Sequence, residues 1–150
     1  MQKTSPYDLR PLSDAERARR AQSLTDEERR VLLSQGTEPP FCGGLLHNKE
    51  VGVYACRLCD LPLFRSDEKF ESGTGWPSFY RAFHDAHVRE IRDVSHGMIR
   101  TEIRCARCDG HLGHVFPDGP PPTFMRYCLN SVSLRFFPLG AEPQPERNGA

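Results

Sequence analysis

The chain has no excess charge of either sign: its 150 residues hold 20 lysines and arginines against 20 aspartates and glutamates. Such a surface has no net field to draw in a polyanion, which argues against nucleic acid or an acidic membrane as partner. Long apolar runs are missing too. The longest are a few residues, far short of the roughly 20 needed to cross a bilayer, and the polar amino end has no apolar secretion-signal core. A soluble, unexported, cytoplasmic protein is expected. The six cysteines could suggest a disulfide scaffold, but secreted scaffolds are usually shorter and often exceed about 8% cysteine. Reduced thiols, metal ligands or catalysis fit better.

The length suits one domain, expected over residues 1–140. Ser13-Asp14-Ala15-Glu16 and Thr25-Asp26-Glu27-Glu28 both have the capping-box form, so two short amino-terminal helices are expected. The second runs through Val31, Leu32 and Leu33 to Gly36, read as the left-handed residue that ends it. Pro39-Pro40 forbids continuation. From Val51 onward, short β-branched and aromatic runs alternate with turn residues. Val51 to Tyr54, His96 to Ile103 and Phe124 to Phe137 read as antiparallel strands. Apart from prolines, residues 141–150 hold nothing apolar larger than alanine, too little to offset ordering entropy, so a disordered tail is expected.

Cys56-Arg57-Leu58-Cys59 and Cys105-Ala106-Arg107-Cys108 each place two thiols in a CxxC spacing. Two such turns complete a tetrahedral zinc site, one ion per chain, with no coordination position left open for catalysis. Their separation is longer than in a compact zinc finger, so the ion would tie distant strands of one domain. A redox CxxC normally opens a helix in an α/β pattern, whereas these lie in β-rich sequence. A zinc-ribbon binding module shares the motif, but it leaves the other cysteines and the histidines unexplained.

Cys42 and Cys128 stand outside that set. On a strand, Arg126, Cys128 and Asn130 share one face, with Tyr127, Leu129 and Ser131 on the other. A neighbouring guanidinium favours the thiolate, which is the nucleophile. The same spacing equally fits a core cysteine beside a surface arginine. Cys42, among Pro40, Gly43 and Gly44, reads as an exposed loop thiol. Trp76, the only tryptophan, sits in Gly73-Thr74-Gly75-Trp76-Pro77-Ser78-Phe79, either lining an apolar pocket or buried for packing. His111 and His114 are suitable proton donors. Three apart, they point to opposite faces of a regular strand unless Gly110 or Gly113 bends it. His47, His84, His87 and His96 receive no role.

The two CxxC pairs, Ser72 to Phe79, Gly110 to Phe116 and Arg126 to Ser131, in that order, resemble the methionine-R-sulfoxide reductases of the B type. The likeness spans about residues 26–137. It implies a mainly β fold of two antiparallel sheets with short amino-terminal helices, a structural zinc, and reduction of methionine-R-sulfoxide in oxidised proteins. By the same resemblance Cys128 attacks the sulfoxide sulfur and becomes a sulfenic acid, while His111, His114 and Asn130 bind or protonate the oxygen. Trp76 holds the substrate methyl group, Arg126 supports the thiolate, and Phe116 is a further pocket residue. Many members carry a resolving cysteine where this chain has Thr74. Some are similar in placing it near the amino end, which implies Cys42 as the resolving thiol and thioredoxin as reductant. A monomer is expected.

Overall fold

The computed structural model describes residues 4–145. Helices α1 (Asp14–Ala21) and α2 (Asp26–Ser34) come first. Each starts where a side-chain oxygen takes an otherwise unpaired amide, Ser13 from Glu16 and Thr25 from Glu28. Only α2 closes the reciprocal capping box. At α1 the Glu16 carboxylate is drawn instead to Arg19 and Arg20. The end of α2 also departs from expectation. Its left-handed residue is Gln35, at φ 56°, while the Gly36 amide bonds back to the Arg30 carbonyl. A left-handed non-glycine residue costs on the order of 1 kcal/mol. Bonds of 3.2 and 3.3 Å from Gln35 Nε2 to the Glu102 carboxylate offset that strain.

Nine strands follow among the described residues: β1 (Gly52–Cys56), β2 (Pro62–Arg65), β3 (Lys69–Phe70), β4 (Ser78–Phe79), β5 (Val88–Asp93), β6 (Arg100–Cys105), β7 (His111–Phe116), β8 (Arg126–Leu129) and β9 (Leu134–Pro138). They form two antiparallel sheets, as expected. The smaller has the order β2-β1-β9 and the larger β3-β4-β8-β7-β6-β5.

Two expected strand runs are shortened. His96 adopts a left-handed turn at φ 56°, so β6 begins only at Arg100. The run Phe124 to Phe137 is two strands, because a 3-10 turn over Ser131–Ser133 carries the chain into the other sheet, where β9 pairs with β1. Asn130 therefore sits where the two sheets meet.

Alternation along β8 buries Tyr127 and Leu129 and leaves Arg126 and Cys128 on the opposite face. Tyr127 contacts Phe64, which stacks on Phe79 at 4.7 Å, and Phe79 takes the edge of Tyr54. Rings from both sheets thus fill the space between them, each pair contributing about 1 kcal/mol beyond its buried area. Helix α2 covers β7 and the 131–133 turn. His87 is fully buried. It donates through Nδ1 to the Pro62 carbonyl and bonds Ser5 Oγ through Nε2, each at 2.6 Å, tying the amino-terminal segment to β2.

Of the expected tail, residues 146–150 lie outside the described residues; before them, the Pro143 carbonyl accepts from Tyr7 Oη at 2.9 Å. No described helix is long and apolar enough to cross a membrane.

Candidate active site

Cys56 ends β1 and Cys59 lies in the turn that leads to β2 of the small sheet; Cys105 ends β6 and Cys108 lies in the turn that leads to β7 of the large one. The two turns close alike. The Asp60 amide bonds the Cys56 carbonyl at 2.8 Å and the Asp109 amide bonds the Cys105 carbonyl at 2.9 Å. Both aspartates are left-handed, at φ 63° and 62°, a region aspartate tolerates better than most residues. All four sulfurs are buried within 4.8 Å of one another, with Cys56–Cys108 and Cys59–Cys105 at 3.5 Å. That is too long for a disulfide of about 2.05 Å. It matches the roughly 3.8 Å edge of a tetrahedron whose metal–sulfur bonds are about 2.3 Å. The donor set fits a metal centre that joins the two sheets.

Cys128 lies on β8 between β4 and β7, opposite Ser78 on one side and His114 on the other. It opens into a cavity of about 270 Å³. The same cavity is lined by Trp76, His111, His114, Phe116, Arg126 and Asn130, every expected site residue outside the metal cluster except Cys42.

The two histidines meet there through a bulge. Ile103 pairs with Gly113 and Arg104 with His111, so Leu112 is an extra residue in β7. The slip turns His111 to the face of His114, and the rings stand edge to face with centroids 5.7 Å apart. The Leu112 carbonyl left by the bulge accepts from the Asn130 amide and Asn130 Nδ2, at 2.9 and 3.1 Å. Gly113 permits the approach of β8, since a Cβ there would meet the Cys128 carbonyl oxygen at 2.0 Å. A bend was expected at Gly110 or Gly113; the bulge falls at Leu112, and Gly113 supplies clearance.

Around the sulfur, Thr74 Oγ1 stands 3.7 Å from Cys128 Sγ and continues through Ser72 to Ser78 by hydroxyl contacts of 2.8 and 2.7 Å. Arg126 lies 4.4 Å over the Phe116 ring and is held by the Asp118 carboxylate at 2.9 and 3.2 Å. Burial pushes the Cys128 thiol above its ordinary value, outweighing the Thr74 hydrogen bond and the Arg126 charge, which act the other way. The guanidinium therefore limits the rise instead of producing a low value.

Trp76 is half-buried, its Nε1 donating to the Glu38 carbonyl at 3.0 Å. The Glu38 amide donates to Asn130 Oδ1, also at 3.0 Å. Glu38 thereby ties two pocket residues from different parts of the chain. One Nδ2 hydrogen of Asn130 remains for the cavity.

Cys42 is exposed and does not line the cavity. It belongs to a strap across the Thr74–Trp76 loop: the Phe41 amide bonds the Gly75 carbonyl at 2.7 Å. Pro40 and Phe41 fill the space where a Gly75 side chain would stand.

Thr37 and Arg100 also line the cavity, and Glu38, Glu102 and Asp93 bond its lining residues. None was identified from sequence. The one available signal was Glu102, an acid within the β-patterned run Arg100-Thr101-Glu102-Ile103-Arg104.

A family model described as the SelR domain matches residues 24–138. The chain belongs to the SelR domain family. Among similar proteins, the peptide methionine sulfoxide reductase MsrB of Caulobacter vibrioides is 62% identical over 147 residues, covering 97% of this chain and 92% of that one. The protein of the same name from Xylella fastidiosa strain M23 is 61% identical over 134 residues, covering 89% and 86%. A SelR domain of this kind thus carries a four-cysteine cluster at one end and, between β4 and β7, a half-buried cysteine facing two histidines and a tryptophan.

Proposed function

We propose that this SelR domain chain is a peptide-methionine (R)-S-oxide reductase, acting on methionine-R-sulfoxide in oxidised proteins. The observation that carries the reading is the convergence of Cys128, Trp76, His111 and His114 on one cavity, together with relatives above 60% identity named peptide methionine sulfoxide reductase. In the reaction, the Cys128 thiolate attacks the sulfoxide sulfur while the imidazoles supply a proton to its oxygen. Thiolate, sulfoxide and one proton become a sulfenic acid on Cys128 and a released thioether. Trp76 and Phe116 form the apolar wall for the substrate methyl group. Arg126 and Asn130 hold the polar side.

For turnover, Cys42 is the resolving thiol: its condensation with the sulfenic acid forms a Cys42–Cys128 disulfide and releases water. The dithiol of thioredoxin then reduces that disulfide and is itself oxidised. Because Cys42 lies outside the cavity, the strap over Gly75 must shift for the sulfurs to meet. The four-cysteine centre holds a structural zinc. The protein acts as a cytoplasmic monomer.

The test supplies separated R and S epimers of a blocked methionine sulfoxide with dithiothreitol and follows methionine by chromatography. Reduction of the R epimer alone, abolished in Cys128→Ser, is expected; no reduction of either epimer by metal-loaded protein would end the enzyme reading. With thioredoxin as reductant, Cys42→Ser is expected to form methionine once per site and then stall. Full turnover by that variant would assign the second half-reaction to direct reduction of the sulfenic acid.

A further inference from the structure

Both cavity histidines are backed by carboxylates, and the two carboxylates take opposite ring nitrogens. Glu102 Oε2 stands 2.7 Å from His111 Nδ1. Asp93 Oδ2 stands 2.8 Å from His114 Nε2. The Glu102–His111 contact is nearly dry, with side chains 5% and 4% exposed.

Neither carboxylate is free to turn away. Glu102 receives Arg104 Nε and Nη2 at 2.9 and 3.1 Å and Nε2 of Gln35 from beyond α2. Asp93 accepts the Ser95 amide at 2.9 Å and Arg100 Nη2 at 3.3 Å. Burial alone would raise Glu102, but the bonds from Arg104 and His111 bring it below its ordinary value. Asp93 is held low by Ser95 and by His114.

An ionised carboxylate only accepts hydrogen bonds, so the nitrogen facing it must carry the hydrogen. His111 is thus protonated at Nδ1 and His114 at Nε2. In each neutral ring the other nitrogen is the lone-pair atom.

We propose that Glu102 and Asp93 are positioning residues that fix His111 and His114 in opposite tautomers, so that His111 offers Nε2 and His114 offers Nδ1 to the oxygen of the sulfoxide. The inference rests on the reductase reading and deepens it. It gives each imidazole a defined lone-pair atom that takes up a proton from water, the carboxylate behind the ring stabilising the imidazolium so formed. That atom passes the proton to the oxygen as the ring returns to its neutral tautomer. Gln35, Arg100 and Arg104 support the arrangement by holding the two carboxylates. Gln35, the left-handed residue that ends α2, is the one that gives its side-chain amide to Glu102.

The experiment has two independent readouts. Two-bond nitrogen–proton correlation spectra of histidine-labelled, metal-loaded wild type report the tautomers without turnover. His111 is expected to carry its hydrogen at Nδ1 and His114 at Nε2; the same tautomer in both, or fast exchange between tautomers, would overturn the proposal.

The second readout is the single-turnover rate of methionine formation from the blocked R-sulfoxide in Glu102→Gln and Asp93→Asn. Each is expected to fall by roughly tenfold or more, with KM little changed, more steeply at the drier Glu102. Cys128→Ser, which leaves both carboxylates in place, should keep the wild-type tautomers. Variants that retain metal, melt as wild type does and react at the wild-type rate would overturn the proposal, and Asp93→Asn serves if Glu102→Gln does not fold. A wild type with the expected tautomers that forms no methionine would instead overturn the reductase reading and the role given to the rings.

Discussion

The four clustered cysteines and Cys128 are the same side chain in opposite surroundings. At the cluster, both pairs come from tight turns of matching geometry, every sulfur is buried, and the partners are other sulfurs and, at Cys108, the Gly110 amide. Around Cys128, the partners come from β4, β7, β8 and two loops. The sulfur is half-buried, and its neighbours are hydroxyls, imidazoles and a guanidinium. A stapling site is best made of short turns, since its geometry must survive without help. The reacting cysteine of the proposed reductase needs unlike groups brought from afar, because nucleophile, proton source and apolar wall cannot occupy neighbouring positions of one strand.

The strongest way to break this contrast is at the cluster. Cys105→Ser leaves three donors and two sheets joined only by their core. Metal binding at such sites supplies on the order of 10 kcal/mol of folding free energy, so loss of cooperative thermal melting is expected, whereas Cys128→Ser should melt as wild type does. Equal melting curves for the two variants would remove the distinction.

A smaller effect is expected at Gly113→Ala. Its Cβ would press on the Cys128 carbonyl oxygen, at a cost of about 3 kcal/mol, or roughly 10 °C in melting midpoint for a domain of this size. Methionine formation should fall further than stability does, since the bulge that unites His111 and His114 is displaced. A variant with unchanged melting and activity would show that the close approach of β7 to β8 is not needed.

The mildest test concerns the sulfur itself. Burial raises the Cys128 thiol while Arg126 opposes the rise, so its thiolate, and hence its alkylation by iodoacetamide, grows as pH climbs through a value above the ordinary cysteine range. Arg126→Ala removes a lowering influence and should move that midpoint higher, slowing alkylation at neutral pH by a few-fold, up to about tenfold per pKa unit. Measured in a Cys42→Ser background, an unmoved midpoint would mean that Arg126 serves only Asp118 and the substrate.

Much of this was legible in the chain because it depends on local spacing. The CxxC pairs announce the cluster, Thr25 and Glu28 announce the cap of α2, and alternation along Arg126-Tyr127-Cys128-Leu129 sends the thiol away from the core. Other features were not legible for particular reasons. The bulge at Leu112 is a property of two paired strands, and β7 alone does not display it. The break at Asn130 follows from β9 finding β1, a partner some eighty residues back in the chain. Gln35, not the glycine after it, takes the left-handed position, and its amide meets Glu102, a residue of a distant strand.

The sequence by itself determined which side chains are available and how they are grouped along the chain: four thiols in two turns, a cysteine two residues from an arginine, two histidines three apart, and a tryptophan among glycines. The tertiary structure alone decided that Glu38 grips both Trp76 and Asn130, that Glu102 and Asp93 stand behind the histidines, and that Cys42 stays outside the cavity. The division has a physical cause. Turn closure and strand alternation act over a few residues, whereas a hydrogen bond between residues ninety apart forms only once packing has brought its two ends together.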